Sequence, residues 1–204
     1  MLKKMNLPNK LTMIRIFLVP LFILFMAIEP NFEWSKSVAL GIFIVASITD
    51  YLDGYLSRKY SLVTNFGKIM DPLADKLLIS SGFIMLTAMG IIPGYICAII
   101  IFRDFFVNAI RMFGANNEKT IAAALSGKIK TASQMIAIIL GLLDKPVVNG
   151  GGFLSFINNS INMTGFELGV NVFMSVMVIV ATIATLWSLV DYTFKFKECI
   201  NVEE

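Results

Sequence analysis

Six apolar stretches recur along the chain, and they limit the possible folds more than any other feature of the sequence. They cover approximately residues 11–28, 35–57, 71–89, 95–113, 131–143 and 170–190. About 20 apolar residues are the length that an α-helix needs to cross the hydrocarbon core of a bilayer. Since 57% of the residues are hydrophobic and the mean hydropathy is +0.78, we predict an all-α integral membrane protein with six transmembrane helices.

The polar segments between these stretches divide the chain into spans and connections, within one membrane-embedded domain that covers residues 1–204. Residues 1–10 are basic and contain Pro8, which predicts a short N-terminal interfacial segment before the first span. A cleaved signal peptide is the alternative, although no small-residue cleavage site follows the first span. Turns or loops are predicted at residues 60–67, 114–118 and 144–164, and a polar tail after residue 190.

Basic residues are distributed unequally between the two sides of this arrangement. Six spans place both termini on one side, and that side carries nearly all of the 17 lysines and arginines. The opposite side has Lys36 and Lys145. The positive-inside rule therefore predicts a multi-pass protein of the cell (cytoplasmic) membrane with both termini in the cytoplasm. Arg15 lies early in the first span, from where its side chain could snorkel to the headgroups.

Four aspartates lie within 26 residues at the end of the second span and the start of the third: Asp50, Asp53, Asp71 and Asp75. The spacings of three and four residues put each pair on one face of a helix. Four ionised carboxylates share a small space only when cations neutralise them. Because hard oxygen ligands suit Mg²⁺ or Mn²⁺, we predict a carboxylate metal site at the cytoplasmic boundary of the membrane.

The rest of the composition narrows the chemistry around these acids. The chain has no histidine and only two cysteines, which excludes histidine-based zinc sites, histidine general bases and a disulfide framework. A metal beside arginines and lysines suits a phosphate or pyrophosphate ligand. The alternative interpretation of Asp50 and Asp53 is a structural one, in which they form buried salt bridges with Arg58 and Lys59.

The segment that holds the acids resembles the signature of the CDP-alcohol phosphotransferase family. That signature reads Asp, two residues, Asp-Gly, two residues, Ala-Arg, eight or nine residues, Gly, three residues, Asp, three residues, Asp. The matching positions here are Asp50, Asp53, Gly54, Ser57, Arg58, Gly67, Asp71 and Asp75. Ser57 is the one departure, since the family usually has alanine there. Six spans with cytoplasmic termini are also typical of the family.

The resemblance implies a transferase of EC class 2.7.8, which moves a substituted phosphate from a CDP-linked donor to an alcohol and releases CMP. It implies two divalent ions, Mg²⁺ or Mn²⁺, on the four aspartates, with Asp75 also the base that deprotonates the acceptor hydroxyl. It places the CDP donor near Gly54, Ser57, Arg58 and Gly67. It further implies a homodimer, which is common in the family.

Other segments resemble a bacterial branch of this family that uses glycerol 3-phosphate as the acceptor. These are residues 6–20, 71–78 and 127–131, together with Arg103-Asp104 followed by Arg111. The implied reaction takes the phosphatidyl group from CDP-diacylglycerol and gives phosphatidylglycerophosphate. Asp104 and Asn108 depart from the glutamate and serine or threonine that are more usual there. A dianionic acceptor requires cations, and the predicted phosphate-binding residues are Arg103, Arg111, Lys128 and Lys130.

Three alternatives remain open from the sequence. In the first, the same transfer reaction uses phosphatidylglycerol or inositol phosphate as the acceptor. In the second, the basic residues are ordinary loop charges without a role in phosphate binding. In the third, the chain is a divalent-cation carrier. A carrier should have acids at the membrane midplane with access from both faces, whereas these acids lie near one predicted face. The expected partners are CDP-diacylglycerol, glycerol 3-phosphate and membrane lipids, and no nucleic acid.

Overall fold

The computed structural model describes residues 6–29, 32–59, 65–116, 125–143, 153, 157 and 165–200. Within these ranges the chain forms six helices and no strand. The helices are α1 Leu7–Ala27, α2 Glu33–Lys59, α3 Asn65–Ala88, α4 Gly94–Asn116, α5 Leu125–Leu143 and α6 Gly165–Ile200. They follow the six predicted spans in order, and the predicted all-α membrane fold is confirmed.

The helices have the length and the surface of membrane-spanning segments. Three stretches in the described chain are long and apolar enough to cross a bilayer: Asn9–Ala27, Trp34–Leu56 and Gly165–Thr193. Large apolar side chains on these helices are exposed, among them Phe17 at 68% and Trp187 at 72%. Such a surface is stable against lipid and would aggregate in water, so the chain is a multi-pass membrane protein.

Helix α1 begins earlier than predicted. Leu7–Lys10, which the sequence assigned to a separate interfacial segment, form its first turn, and Pro8 lies at the start of the helix. Proline is well tolerated there because the first helical N–H groups have no partner within the helix. Pro20 lies inside the same helix, which continues through it. Residues 1–5 lie outside the described part of the chain.

Several other boundaries differ from the prediction because a local polar or glycine signal does not end a helix, and α5 likewise begins at Leu125, six residues before its predicted start. α3 begins at Asn65, so Gly67 is helical and not part of a turn, and α4 continues through Gly114 to Asn116. α6 extends ten residues beyond the predicted end, to Ile200. Its polar end contains neither proline nor glycine, so no residue there breaks the helix. The long loop predicted at 144–164 lies outside the described residues except for Phe153 and Ile157.

The described chain divides into two compact units, Met1–Met89 and Gly90–Glu204. In the first unit α1 packs against both α2 and α3, and Phe22 meets Phe43 with ring centroids 5.8 Å apart. In the second unit α6 packs against α4 and α5. Gly90 has φ +73°, a left-handed conformation that glycine adopts without a steric penalty, and it directly follows the end of the first unit.

Candidate metal centre and cation cluster

The four signature aspartates come together in the first unit, where we call them the acid cluster. Asp50 and Asp53 lie on α2, and Asp71 and Asp75 on α3. Asp50 interacts electrostatically with both Asp53 and Asp75, and Asp53 interacts with Asp71. The spacings of three and four residues therefore produce the shared faces that the sequence predicted, and α1, which contacts both helices, lies against them.

Among the side chains that the structure describes, Arg15 of α1 is the cation that pairs with two acids of the cluster. Its side chain is fully buried, and its Nη1 lies 2.5 Å from Oδ1 of Asp50. Its Nη2 donates to Oδ2 of Asp53. The expectation that Arg15 snorkels to the headgroups is wrong, because the side chain points into the helix interface and reaches two carboxylates there. A guanidinium suits this position because it presents several donors in one plane.

The ion pairs of Asp50 and Asp53 reach a different helix from the one that the structural alternative considered. Both acids pair with Arg15 of α1, 35 or more residues earlier in the chain. Of the partners in that alternative, Lys59 lies over the ring of Tyr55, with its Nζ 5.5 Å from the ring centroid, and the side chain of Arg58 lies outside the described residues.

Thr12 joins the acid cluster from the same face of α1, three residues before Arg15. It is fully buried, and its hydroxyl donates to Oδ1 of Asp71 across 2.6 Å and lies 3.4 Å from Oδ2 of Asp53. Thr12 and Arg15 together contact three of the four acids. The sequence reasoning missed this role, although two polar residues one helical turn apart in an apolar span were the available signal.

Access to solvent differs among the acids. The side chain of Asp53 is 5% exposed, whereas those of Asp50 and Asp75 are 32% and 21% exposed. The Oδ2 of Asp75 lies 2.6 Å from the ammonium group of Lys76, the next residue. Asp50 and Asp75 therefore form the accessible side of the acid cluster, and Asp53 forms its interior.

The acid cluster fits a divalent cation in its donor chemistry. All four acids offer carboxylate oxygens, the ligands that Mg²⁺ and Mn²⁺ prefer. Four carboxylates face the two cationic side chains of Arg15 and Lys76 among the described residues, so negative charge is in excess. No three acidic, histidine or cysteine side chains in the described ranges converge closely enough to hold a metal ion, and Arg15 lies between two of the acids. The negative charge of the cluster fits a divalent cation, and binding of the cation would require the four carboxylates to move closer together.

The positions predicted to bind the CDP donor lie on the same two helices. Gly54 directly follows Asp53 on α2, and Gly67 is buried on α3, four residues before Asp71. Ser57 and Arg58 belong to the last turn of α2, and their side chains lie outside the described residues. One helical turn thus separates Gly67 from the nearest acid of α3.

The second unit contains a polar cluster of the opposite charge, which we call the cation cluster: Arg103, Asp104, Lys130, Ser188 and Tyr192. The Nζ of Lys130 contacts Oδ1 of Asp104, and Nη1 of Arg103 lies 3.4 Å from the same oxygen. Arg103 also donates to Oγ of Ser188 and lies over the ring of Tyr192, 5.8 Å from its centroid. All five residues are at least 95% buried.

The structure brings two of the four predicted phosphate-binding residues together, since Arg103 on α4 and Lys130 on α5 meet at Asp104. Arg111 and Lys128 belong to the same two helices, but their side chains lie outside the described residues. The sequence reasoning missed Ser188 and Tyr192 of α6. A signal was present, because Thr185 precedes them by three and seven residues, a spacing that puts all three on one helix face.

Comparison with known proteins gives one consistent result. A sequence model of the CDP-alcohol phosphatidyltransferase family matches residues 5–190. A curated protein of Bacillus subtilis, named CDP-diacylglycerol--glycerol-3-phosphate 3-phosphatidyltransferase, is 43% identical over 150 residues, which are 68% of this chain and 77% of that protein. A Haemophilus influenzae protein of the same name is 31% identical over 196 residues, 93% of this chain and 92% of that protein.

Proposed function

Because the chain belongs to the CDP-alcohol phosphatidyltransferase family, we propose that it transfers the phosphatidyl group of CDP-diacylglycerol to glycerol 3-phosphate. The products are phosphatidylglycerophosphate and CMP. The observation that carries the proposal is the acid cluster, in which the four signature aspartates of two helices interact beside α1. The choice of acceptor is supported by the names of the curated relatives, two of which match over most of their length.

The acid cluster is proposed to hold two divalent ions, Mg²⁺ or Mn²⁺, with Asp50, Asp53 and Asp71 as the main ligands and Asp75 as the fourth. Members of the family generally use divalent metals, and the excess of carboxylates supports the same role here. When bound, such ions neutralise the diphosphate of the donor and polarise its phosphoryl group. The residues of this chain supply the ligands, the orientation and the proton acceptor.

Asp75 is proposed as the base that removes the proton from the acceptor hydroxyl. The hydroxyl oxygen forms a bond to the phosphorus of the phosphatidyl group, while the bond from that phosphorus to the CMP phosphate breaks. Asp75 suits the role because its side chain is partly exposed, and because Arg15 and Thr12 contact the other three acids.

The donor is proposed to bind with its CDP group near Gly54, Ser57, Arg58 and Gly67 and its acyl chains in the bilayer. The two glycines lie within one helical turn of acids of the cluster, where a missing side chain permits a flat ligand to approach the backbone. The long apolar helices support the lipid substrate, because their exposed apolar surfaces are compatible with acyl chains beside them.

The acceptor phosphate is proposed to bind to Arg103, Arg111, Lys128 and Lys130. The cation cluster supports this role because it brings a guanidinium and an ammonium to one carboxylate, so two of the predicted phosphate-binding groups already lie together. A phosphate that accepts hydrogen bonds from a guanidinium and an ammonium forms charge-assisted bonds, the strongest class of hydrogen bond in proteins.

The membrane and the orientation of the protein in it are proposed from the distribution of basic residues. The basic residues collect on one side of the six-helix sequence, so both termini and the acid cluster are placed at the cytoplasmic face of the cell membrane. The chain is proposed to act as one domain, which the family match across both units supports, and to form a homodimer, as is common in the family.

Release of CMP tests this proposal directly. Purified protein in detergent is given CDP-diacylglycerol and Mg²⁺ or Mn²⁺, and then glycerol 3-phosphate, inositol phosphate or phosphatidylglycerol one at a time. We expect CMP release only with glycerol 3-phosphate, its loss with a chelator, and its return when the metal is restored. Release with a different alcohol would contradict the proposed acceptor. Absence of release with all three, from protein shown to be folded, would contradict the transferase activity.

A further inference from the structure

We infer that Arg15 is an internal counter-ion of the acid cluster, which stabilises the protein without metal and weakens the binding of the divalent ion. The inference rests on the metal site of the proposed function. It concerns a residue outside the aspartate signature, on a different helix from all four acids. Arg15 would therefore act as a positioning residue for the metal ligands, with no contact to the substrates required.

The contacts of Arg15 carry this inference. Its side chain is fully buried and pairs through separate nitrogens with Asp50 and Asp53. These two acids belong to the proposed main ligands. Arg15 therefore already lies where positive charge is needed, and it holds carboxylates that a metal ion would also bind.

Charge balance explains why such a residue is needed. Without a cation, two carboxylates of α2 would lie within one turn of each other beside two more from α3, and each would repel the others. A buried arginine without a carboxylate partner is equally unfavourable. The ion pairs of Arg15 remove both penalties at once, and they tie α1 to α2 while the metal site holds no ion.

The same charge opposes a divalent ion when it arrives. The ion brings two positive charges close to the guanidinium, and like charges a few ångströms apart repel strongly in a buried setting. The ion also needs carboxylate oxygens of Asp50 and Asp53, which already form ion pairs with Arg15. Removal of the guanidinium would therefore leave a more negative site, to which the ion binds more tightly.

Two neighbouring polar residues that the structure describes, Thr12 and Lys76, should oppose a bound cation less than Arg15 does. Thr12 is neutral, so its hydrogen bond to Asp71 is compatible with a bound cation. Lys76 is positive, but it pairs with the adjacent Asp75 on the same helix and is 18% exposed, so water screens its charge. Arg15 combines positive charge, complete burial and contact with two acids.

The experiment compares Arg15→Gln with the unchanged protein, with Mn²⁺ alone as the probe and no substrate present. The unfolding temperature is measured in detergent with a chelator and with Mn²⁺, and the Mn²⁺ dissociation constant is measured by electron paramagnetic resonance. With the chelator, Arg15→Gln should unfold about 5 °C or more below the unchanged protein. Mn²⁺ should then raise its unfolding temperature more than that of the unchanged protein, and should bind about tenfold more tightly.

Lys10→Gln is the matched control, since it removes the same charge from the same helix, five residues before Arg15. Lys10 is partly exposed at the start of α1, so its substitution should leave Mn²⁺ binding within about twofold of the unchanged protein, because solvent and salt screen such charges. A Lys10→Gln effect as large as that of Arg15→Gln would overturn the inference, since net charge and not the position of Arg15 would then set the affinity.

The remaining outcomes separate this inference from the proposed function. Equal destabilisation of Arg15→Gln with chelator and with Mn²⁺, together with unchanged or weaker Mn²⁺ binding, would show a merely structural role and overturn the inference. Failure of Mn²⁺ to stabilise or bind the unchanged protein would instead contradict the metal site itself. If Arg15→Gln does not fold, Arg15→Met replaces it, since methionine also removes the charge and keeps a long unbranched side chain. Tighter Mn²⁺ binding by Arg15→Met would support the inference, and unchanged or weaker binding would overturn it.

Discussion

The acid cluster of the first unit and the cation cluster of the second are opposite in charge but alike in construction. In the acid cluster one buried guanidinium, that of Arg15, pairs with two carboxylates of a different helix. In the cation cluster one buried carboxylate, that of Asp104, is shared by a guanidinium and an ammonium. In each case the minority charge, the one of the rarer sign, joins separate helices.

The comparison leads us to expect different roles for the two kinds of charge, with the minority charge serving stability and the majority charge serving activity. A minority charge has several partners, so its loss leaves two buried ions uncompensated and should mainly reduce stability. A majority charge is one of several proposed ligand groups, so its loss should mainly reduce activity. From the majority sign we propose that the acid cluster binds a cation and the cation cluster an anion.

The largest effect is expected from a majority charge of the acid cluster. Asp71→Asn keeps the size of the side chain and removes one proposed metal ligand, so the rate of CMP release should fall about a thousandfold, a loss of roughly 4 kcal/mol of transition-state stabilisation. Its unfolding temperature with chelator should stay near that of the unchanged protein. Glu29→Gln, an equal change of charge at the end of α1, should retain normal turnover. Near-normal turnover by Asp71→Asn would show that Asp71 does not serve the metal site.

The next effect concerns the minority charge of the cation cluster. Asp104→Asn removes the carboxylate that Arg103 and Lys130 share, which should lower the free energy of unfolding by roughly 3 kcal/mol, measured by denaturant titration in detergent. The double variant Asp104→Asn/Lys130→Met should lose less than the sum of its two single variants, because the two residues interact. Additive losses would show that the pair is not energetically coupled and would break the comparison between the clusters.

The smallest effect is expected where one of several cations is removed. Lys128→Ala should raise the KM for glycerol 3-phosphate about tenfold, or roughly 1.4 kcal/mol, and change the KM for CDP-diacylglycerol little. Lys119→Ala, in the segment between α4 and α5, serves as the control and should change neither. An equal rise of both KM values for Lys128→Ala would argue against a role in binding the acceptor phosphate.

Local patterns in the sequence predicted much of the fold. Long apolar stretches predicted six helices in the correct order, and spacings of three and four residues predicted that Asp50 with Asp53, and Asp71 with Asp75, share helix faces. Boundaries were less predictable, because Gly67 and the polar end of α6 carry weak local preferences that a continuing helix overrides. The family signature also consists of residue types at fixed short spacings, so it could be recognised from the sequence alone.

The sequence by itself determined the helices, the order of the spans, the four signature acids and the family to which they belong. Only the tertiary structure decided that Arg15 and Thr12 of α1 contact those acids, and that Ser188 and Tyr192 of α6 lie beside Arg103. The physical reason is that periodicity along one helix specifies which residues share a face, but not which face of another helix lies opposite. That choice depends on how the helices pack and rotate against each other, which involves residues far apart in the chain.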